Sequence, residues 1–397
     1  MQNFVFNNPI KMIFGPGEIN KIGIEAKALG KKAMIVTGKG SSSKYKILDR
    51  VLKYLKKEKV EAVVFDKVEP NPRTTTIDTA AQIARENNCD MIIGLGGGSP
   101  MDAAKAIAAG AAENIPIWDM IPHGQKAKPL TKALPIIEIP TLAATGSEGN
   151  CGGVFTNWET HEKAVLFLPI LYPKVSIIDP ELTLTVPENY TVDGGVDIIC
   201  HVMEGFFTGV ENTPIQDLFA LSIVRTVMDN LLIVIDNPSD INARSQLSWA
   251  STIALSGLVN LGRGGSFPLH AMEHALSGYY DISHGRGLAI LLPRLMEYSY
   301  SSRPEKYAMM TKELFGTDEK SMDEAEMAKA SVNGMIQFLK EINCYLKLSD
   351  VGIIDDSKFE AMAKDTLRLY SADGKSIYNP KVLYKNDIIK IYQMCMK

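Results

Sequence analysis

Met91-Ile92-Ile93-Gly94-Leu95-Gly96-Gly97-Gly98-Ser99-Pro100-Met101-Asp102-Ala103-Ala104-Lys105 is the stretch that decides the fold. Residues 91–95 make an apolar run too short for a helix, bounded by glycine, which reads as a buried strand. The strand runs straight into glycines, and Pro100 suits the first turn of a helix beginning there. Exposed N–H groups at such a helix start, together with its dipole, attract phosphate, and glycine lets the backbone come close to it. A dinucleotide pyrophosphate fits this turn; the bland alternative is a glycine-rich connection with no ligand. The spacing falls short of a full GxGxxG, because Ser99 stands where the last glycine would be.

Upstream, the same strand–turn–helix unit recurs. Ala33 to Thr37 and Val60 to Phe65 read as further strands, and Glu18 to Leu29, Tyr45 to Lys57 and Thr76 to Asn87 as helices. This alternation argues for a parallel sheet with helices on both faces, whose sites gather at the carboxyl ends of the strands. Downstream, Ile139 to Asn150 is rich in hydroxyls and small residues, as suits a loop around ribose, phosphate or amide, or else a surface turn. Thr156 to His161 reads as a hairpin tip, after which Lys163 enters a strand.

Near Ile177 to Pro187 the texture changes. Beyond it apolar residues follow helical spacing, as in Gln216 to Leu232, Ala243 to Val259 and Met322 to Ile342. The expected organisation is an α/β N-terminal domain with a parallel, Rossmann-like sheet over residues 1–183, followed by an all-α domain over 184–397.

With 397 residues, 46% of them apolar, the chain can bury a substantial core. A net charge of −4 with no concentrated basic segment argues against a nucleic-acid partner. Five cysteines without a CxxC pair suit a reducing compartment. No charged start precedes an apolar leader, and no uninterrupted apolar run reaches membrane length. A cytoplasmic protein with no membrane partner is expected.

Residues 193–287 hold four of the six histidines, His201, His270, His274 and His284. Asp197 and His201 lie four apart, which on a helix puts both on one face within chelating distance. His270 and His274 repeat that spacing, and His284 follows in what reads as a Gly-flanked turn. One carboxylate with three or four imidazoles and no thiolate favours Fe(II), Zn(II), Mn(II) or Co(II). The bland alternative is a set of helix histidines satisfied by their neighbours.

Taken together, GGGSPMDAAKAIA, PTLAATGSEGN, DPELTLTVP, DIICHVMEG and HAMEHALSGYYDISHGRGLAILLP, in this order and at these intervals, resemble the iron-containing (group III) alcohol dehydrogenase family across essentially the whole chain. PTLAATGSE and the opening NFVFNNPIKMIFGPG resemble its butanol dehydrogenase and NADPH-dependent aldehyde reductase branch. The resemblance implies a homodimer of two-domain subunits with dehydroquinate synthase-like architecture. It also implies NAD(P)(H) on the first domain and one divalent ion, Fe(II) or alternatively Zn(II), in the second.

By motif position, the resemblance implies metal ligands at Asp197, His201, His270 and His284, with His274 beside the metal in substrate contact or proton transfer. It implies cofactor contacts at Gly38, Ser41, Asn71, Gly97, Gly98, Ser99, Asp102, Thr141, Thr145 and Lys163. The expected reaction is hydride transfer between a short-chain primary alcohol or aldehyde and nicotinamide C4, in the cleft between domains. Apolar residues near Phe155, Phe207 and Phe267 are expected to line the substrate pocket.

Members that use NAD tend to carry an aspartate after the second strand, where this chain has Thr37-Gly38-Lys39-Gly40-Ser41, so NADP(H) is expected over NAD(H). A glycerol dehydrogenase or dehydroquinate synthase-like enzyme is the alternative. It would need a different ligand set, and no Arg/Lys cluster stands near the metal stretch to hold a polyanionic substrate.

Overall fold

The computed structural model describes residues 1–40, 45–122, 127–316 and 322–397. The chain forms two compact units, one of Asn7–Thr191 with Asn237–Ser256, the other of Met1–Phe6 with Val192–Asp236 and Gly257–Lys397.

The first unit is built on a parallel sheet of six strands: β1 (Lys11–Phe14), β2 (Lys32–Gly38), β3 (Glu61–Val68), β4 (Met91–Gly96), β5 (Ile136–Pro140) and, after a separate antiparallel hairpin of β6 (Gly152–Asn157) and β7 (Glu162–Phe167), β8 (Val175–Ile178). The order is β1-β8-β5-β4-β2-β3. Helices α1 (Ile22–Leu29), α2 (Ile47–Lys57), α3 (Thr74–Glu86) and α4 (Gly98–Glu113) connect the strands. Both faces are dry. In β2, Ala33 and Ile35 pack with Ile22, Ala26, Val51 and Leu55, whereas Met34 and Val36 pack with Ile77, Ala80, Ala103 and Ile107. That two-residue alternation between equally apolar faces is what a doubly covered parallel sheet requires, and it explains the unbroken apolar runs in the sequence.

The strand order reverses at β2. The chain steps outward to β3 and returns on the other side of β2 as β4. The carboxyl ends of β2 and β4, at Gly38 and Gly96, flank this switch point, the place where open α/β sheets bind ligands.

The second unit is helical and contains most of α5 (Glu188–Thr208), then α6 (Pro214–Asp236). The next helix, α7 (Ile241–Ala254), belongs to the sheet-bearing unit. The helical unit resumes with α8 (Pro268–Tyr280), α9 (His284–Ser299), α10 (Pro304–Met310), α11 (Glu324–Glu341), α12 (Phe359–Tyr370) and α13 (Lys385–Met394). Helix α6 is long and apolar enough to cross a membrane by length and composition. It is interrupted by Arg225 and Asp229 and buries Leu221, Val224, Val227 and Leu231. All five cysteines are buried and free.

Candidate metal centre and cofactor loops

In the helical unit, α5 carries Asp197 and His201 one turn apart, α8 carries His270 and His274, and His284 is the first residue of α9. The turn expected around His284 is thus a helix start. Gly285 serves there not for a bend but for close packing, since a Cβ on it would sit 2.3 Å from the Asp193 carbonyl oxygen. Asp193 also forms an ion pair with Arg286 Nε at 2.9 Å and accepts from Ser283 Oγ at 3.0 Å, pinning the start of α9 to α5.

Four donor atoms converge. Asp197 Oδ1 lies 3.5 Å from His201 Nε2, 3.5 Å from His270 Nε2 and 3.8 Å from His284 Nε2. Asp197, His201 and His270 are buried, with Asp197 2% exposed. Such separations are long for hydrogen bonds, and Asp197 Oδ1 and His270 Nε2 are buried without a hydrogen-bond partner. A cation held tetrahedrally at ~2.1 Å would set its ligand atoms ~3.4 Å apart, so the spacing and the orphaned atoms fit a divalent ion.

Two buried glutamates that sequence reading did not single out aim this set. Glu204, on α5, accepts from His270 Nδ1 and also from the backbone N–H groups of Leu269 and His270. It therefore caps α8, whose own N-cap residue Phe267 makes no side-chain cap, while turning His270 Nε2 toward Asp197. Glu273, on α8 and fully buried, pairs with His284 Nδ1 and accepts from Ser277 Oγ. Each glutamate stands three residues after a histidine, His201-Val-Met-Glu204 and His270-Ala-Met-Glu273, which was the available signal.

The charges respond to this crowding. Burial alone would raise the Asp197 carboxyl, but His201, His270 and His284 hold it far below the usual range. Burial drives His201 down to about 3. Burial also opposes a charge on His270, yet Glu204 and Asp197 push it up to about 10. His274 sits beside the cluster with its ring centroid 5.4 Å from that of His284, and its Nδ1 is 2.6 Å from Tyr370 Oη. Of the three phenylalanines expected near a pocket, Phe267 packs edge-on to His270. Phe155 is fully buried in the core of the sheet unit, whereas Phe207 stacks on Tyr307 and lines a cavity with Met203, Leu269 and Leu295.

In the sheet unit, α4 begins at Gly98 with Gly97 as an N-cap that offers no side chain, leaving its first N–H groups without a side-chain cap. Gly98 faces Thr145 so closely that a Cβ would lie 2.4 Å from Thr145 Cγ2. Ser99 is the next residue of the same first turn. Thr141 N donates to Gly96 O at 2.8 Å, bringing the 141–150 loop beside the glycine turn. Gly38 ends β2 at the switch point, and Ser41 lies outside the described residues. Asn71, in a left-handed conformation, accepts from Lys163 Nζ at 3.0 Å.

The carboxylate of Asp102 is taken up by Ser147 Oγ at 2.7 Å and Val154 N at 2.9 Å. One turn on, the fully buried Lys105 donates from Nζ to Ser147 O at 2.7 Å, Ser147 Oγ at 2.8 Å and Gly152 O at 2.7 Å. Helix α4 therefore holds the hydroxyl-rich loop by two side chains. Helix α7 braces the same loop from Ser251 Oγ, which accepts from Ala144 N, and Thr252 Oγ1, which donates to Glu148.

The profile of the iron-containing alcohol dehydrogenases matches residues 9–180, and that of the Fe-containing alcohol dehydrogenase C-terminal region matches residues 191–396. The chain is 39% identical to NADH-dependent butanol dehydrogenase A of Clostridium acetobutylicum (strain ATCC 824) over 394 residues, 99% of each chain. It is 31% identical to the NADPH-dependent aldehyde reductase YqhD of Escherichia coli (strain K12) over 366 residues, 92% of each. Among solved structures, NADH-dependent butanol dehydrogenase A of Thermotoga maritima superposes with a TM-score of 0.94 at 37% identity, covering 100% of this chain and 99% of that one. With both of its halves matched by that family's profiles and relatives similar from end to end, the chain belongs to the iron-containing alcohol dehydrogenase family and is an oxidoreductase.

Proposed function

We propose that this enzyme interconverts short-chain primary alcohols and aldehydes with NADP(H) in preference to NAD(H), using one divalent ion held by Asp197, His201, His270 and His284. The observation that carries the ligand assignment is the convergence of one carboxylate oxygen and three imidazole Nε2 atoms, two of the rings aimed by buried glutamates.

When bound, the ion supplies Lewis-acid polarisation of the substrate oxygen and the nicotinamide gives or takes the hydride. The protein's own groups do the rest. Asp197 contributes the one negative charge of the ligand set. Glu204 and Glu273 hold the Nδ1 sides of His270 and His284, so that both rings present Nε2. Phe267 gives an apolar wall beside His270, in keeping with an alkyl chain. His274, fixed at Nδ1, is the group placed to handle the proton that accompanies hydride transfer.

On the sheet unit, the open N–H groups at Gly98 and Ser99 suit a pyrophosphate, and Thr141, Thr145, Asn71 and Lys163 suit the ribose and amide groups. The Asp102 carboxylate acts by holding the 147–154 segment in place. The preference for NADP(H) rests on the end of β2, where Gly38-Lys39-Gly40 offers no carboxylate to repel a 2′-phosphate and one cation to attract it. Relatives named for either cofactor match this chain, so the few residues around the ribose decide the matter rather than overall similarity. The free, buried cysteines suit a cytoplasmic location. The exposed Phe4, Val5 and Phe6 suit a homodimer contact.

The test is a substrate panel on enzyme loaded anaerobically with Fe(II), Zn(II) or Mn(II), following NADPH and NADH consumption with butanal. Turnover with none of the metals refutes the reading, and equal or faster use of NADH refutes the cofactor preference.

A further inference from the structure

Helix α12 reaches the metal-bearing helix α8 at two points. Tyr279 Oη donates to Asp365 Oδ2 at 2.8 Å, and five residues further along α12 the Tyr370 hydroxyl meets His274 Nδ1 at 2.6 Å, with the two rings 5.4 Å apart. The first contact fixes the height of α12 against α8, and the second then touches the one histidine of the cluster that the proposed ligand set leaves out. His274 is 4% exposed, so its ring is held by protein contacts and not by bulk water. Burial, and then the nearby Glu273, keep the Tyr370 phenol protonated. A neutral hydroxyl is available to donate, and a neutral imidazole has one nitrogen free to accept.

The geometry points to Tyr370 as the residue that positions His274: its hydroxyl donates to Nδ1 and so fixes the ring in the tautomer whose Nε2 carries the hydrogen. A histidine so held presents a donor of defined direction to a substrate oxygen. Without the tyrosine hydroxyl the ring loses the contact that selects this tautomer, and a smaller fraction of molecules stand ready to react. This assignment rests on the alcohol dehydrogenase reading above and adds to it a residue distant in sequence from every motif of the site.

The experiment compares metal-loaded wild type, Tyr370→Phe, His274→Ala and the double variant, measuring kcat and KM with butanal and NADPH together with metal content. Tyr370→Phe keeps the ring and removes only the hydroxyl. The expected result is a fall in kcat on the order of tenfold, with metal content and the KM for NADPH unchanged. His274→Ala falls further, and the double variant is no worse than His274→Ala, because a residue that acts only through His274 has nothing left to act on. Multiplying effects, or a Tyr370→Phe enzyme equal to wild type, overturn the assignment. Nitrogen NMR of the wild-type, zinc-loaded enzyme checks it independently of any variant: a hydrogen on Nδ1 of His274 instead of Nε2 overturns it. A metal-loaded wild type with no aldehyde turnover sinks the dehydrogenase reading and the role of Tyr370 with it, whereas an active wild type with multiplying effects sinks the tyrosine alone.

Discussion

Glu204 pairs with His270, not with His201, although His201 lies only one turn before it on the same helix. The pairing joins α5 to α8 at the point where α8 begins, so one carboxylate both caps a helix and aims one of the converging imidazoles. Replacing Glu204 by Gln removes the charge that receives the Nδ1 hydrogen of His270. Weaker zinc binding by about 10–100-fold is the expected outcome, read by competition with a chelator. An unchanged affinity means that His270 is oriented by its helix alone.

Lys105 is buried among Asp102, Glu138 and Glu148, where burial lowers its pKa while those carboxylates oppose the shift. Lys105→Met takes a cation from beside Asp102 and Glu148 and releases Ser147 and Gly152 from α4. Breaking a buried ion cluster in this way costs about 3–5 kcal/mol. Urea unfolding should show a lower midpoint, accompanied by a higher KM for the nicotinamide cofactor; a midpoint equal to wild type would show that the loop does not depend on this contact.

Glu138 lies fully buried, and neither carboxylate oxygen has a hydrogen-bond partner. Burial raises its pKa well above the usual value, against the opposing pull of Lys105. The folded protein then holds a proton that the unfolded chain releases. The stability from this group is complete below the ordinary glutamate range and is lost as pH rises toward the folded-state value. Glu138→Gln is neutral throughout, so melting temperatures measured from pH 5 to pH 9 should favour the variant increasingly as pH rises. A constant difference between the two proteins contradicts this.

Gly98 occupies the first turn of α4, where alanine is intrinsically the better helix former by about 1 kcal/mol. Any harm from Gly98→Ala must therefore come from its Cβ, which would lie 2.4 Å from Thr145 Cγ2. Displacing the 141–150 loop should lower kcat/KM for the cofactor by roughly tenfold or more while leaving metal content intact. Loss of the metal in place of cofactor affinity would show that the change is not local to this turn.

The sequence by itself determined the parallel sheet, the helical second half and the identity of the converging donors. Apolar runs of strand length with both faces buried, and an aspartate four residues before a histidine, are local periodicities that survive any arrangement of the rest. The family resemblance rests on motifs of the same local kind.

The tertiary structure decided what those residues touch. His270-Ala-Met-Glu273 invites pairing within one helix, yet Glu273 turns to His284 on α9 and His270 is served by Glu204 on α5. Tyr370, ninety-six positions from His274, carries no sequence signal at all. His284 reads as a turn because of its flanking glycine, whereas that glycine marks the close approach of α9 to α5. Phe155 looks like a pocket residue until packing assigns it to the core of the sheet unit. Periodicity tells which face of an element is apolar, but the partner of a buried polar atom is fixed only when helices far apart in the chain are brought to within one hydrogen bond of each other.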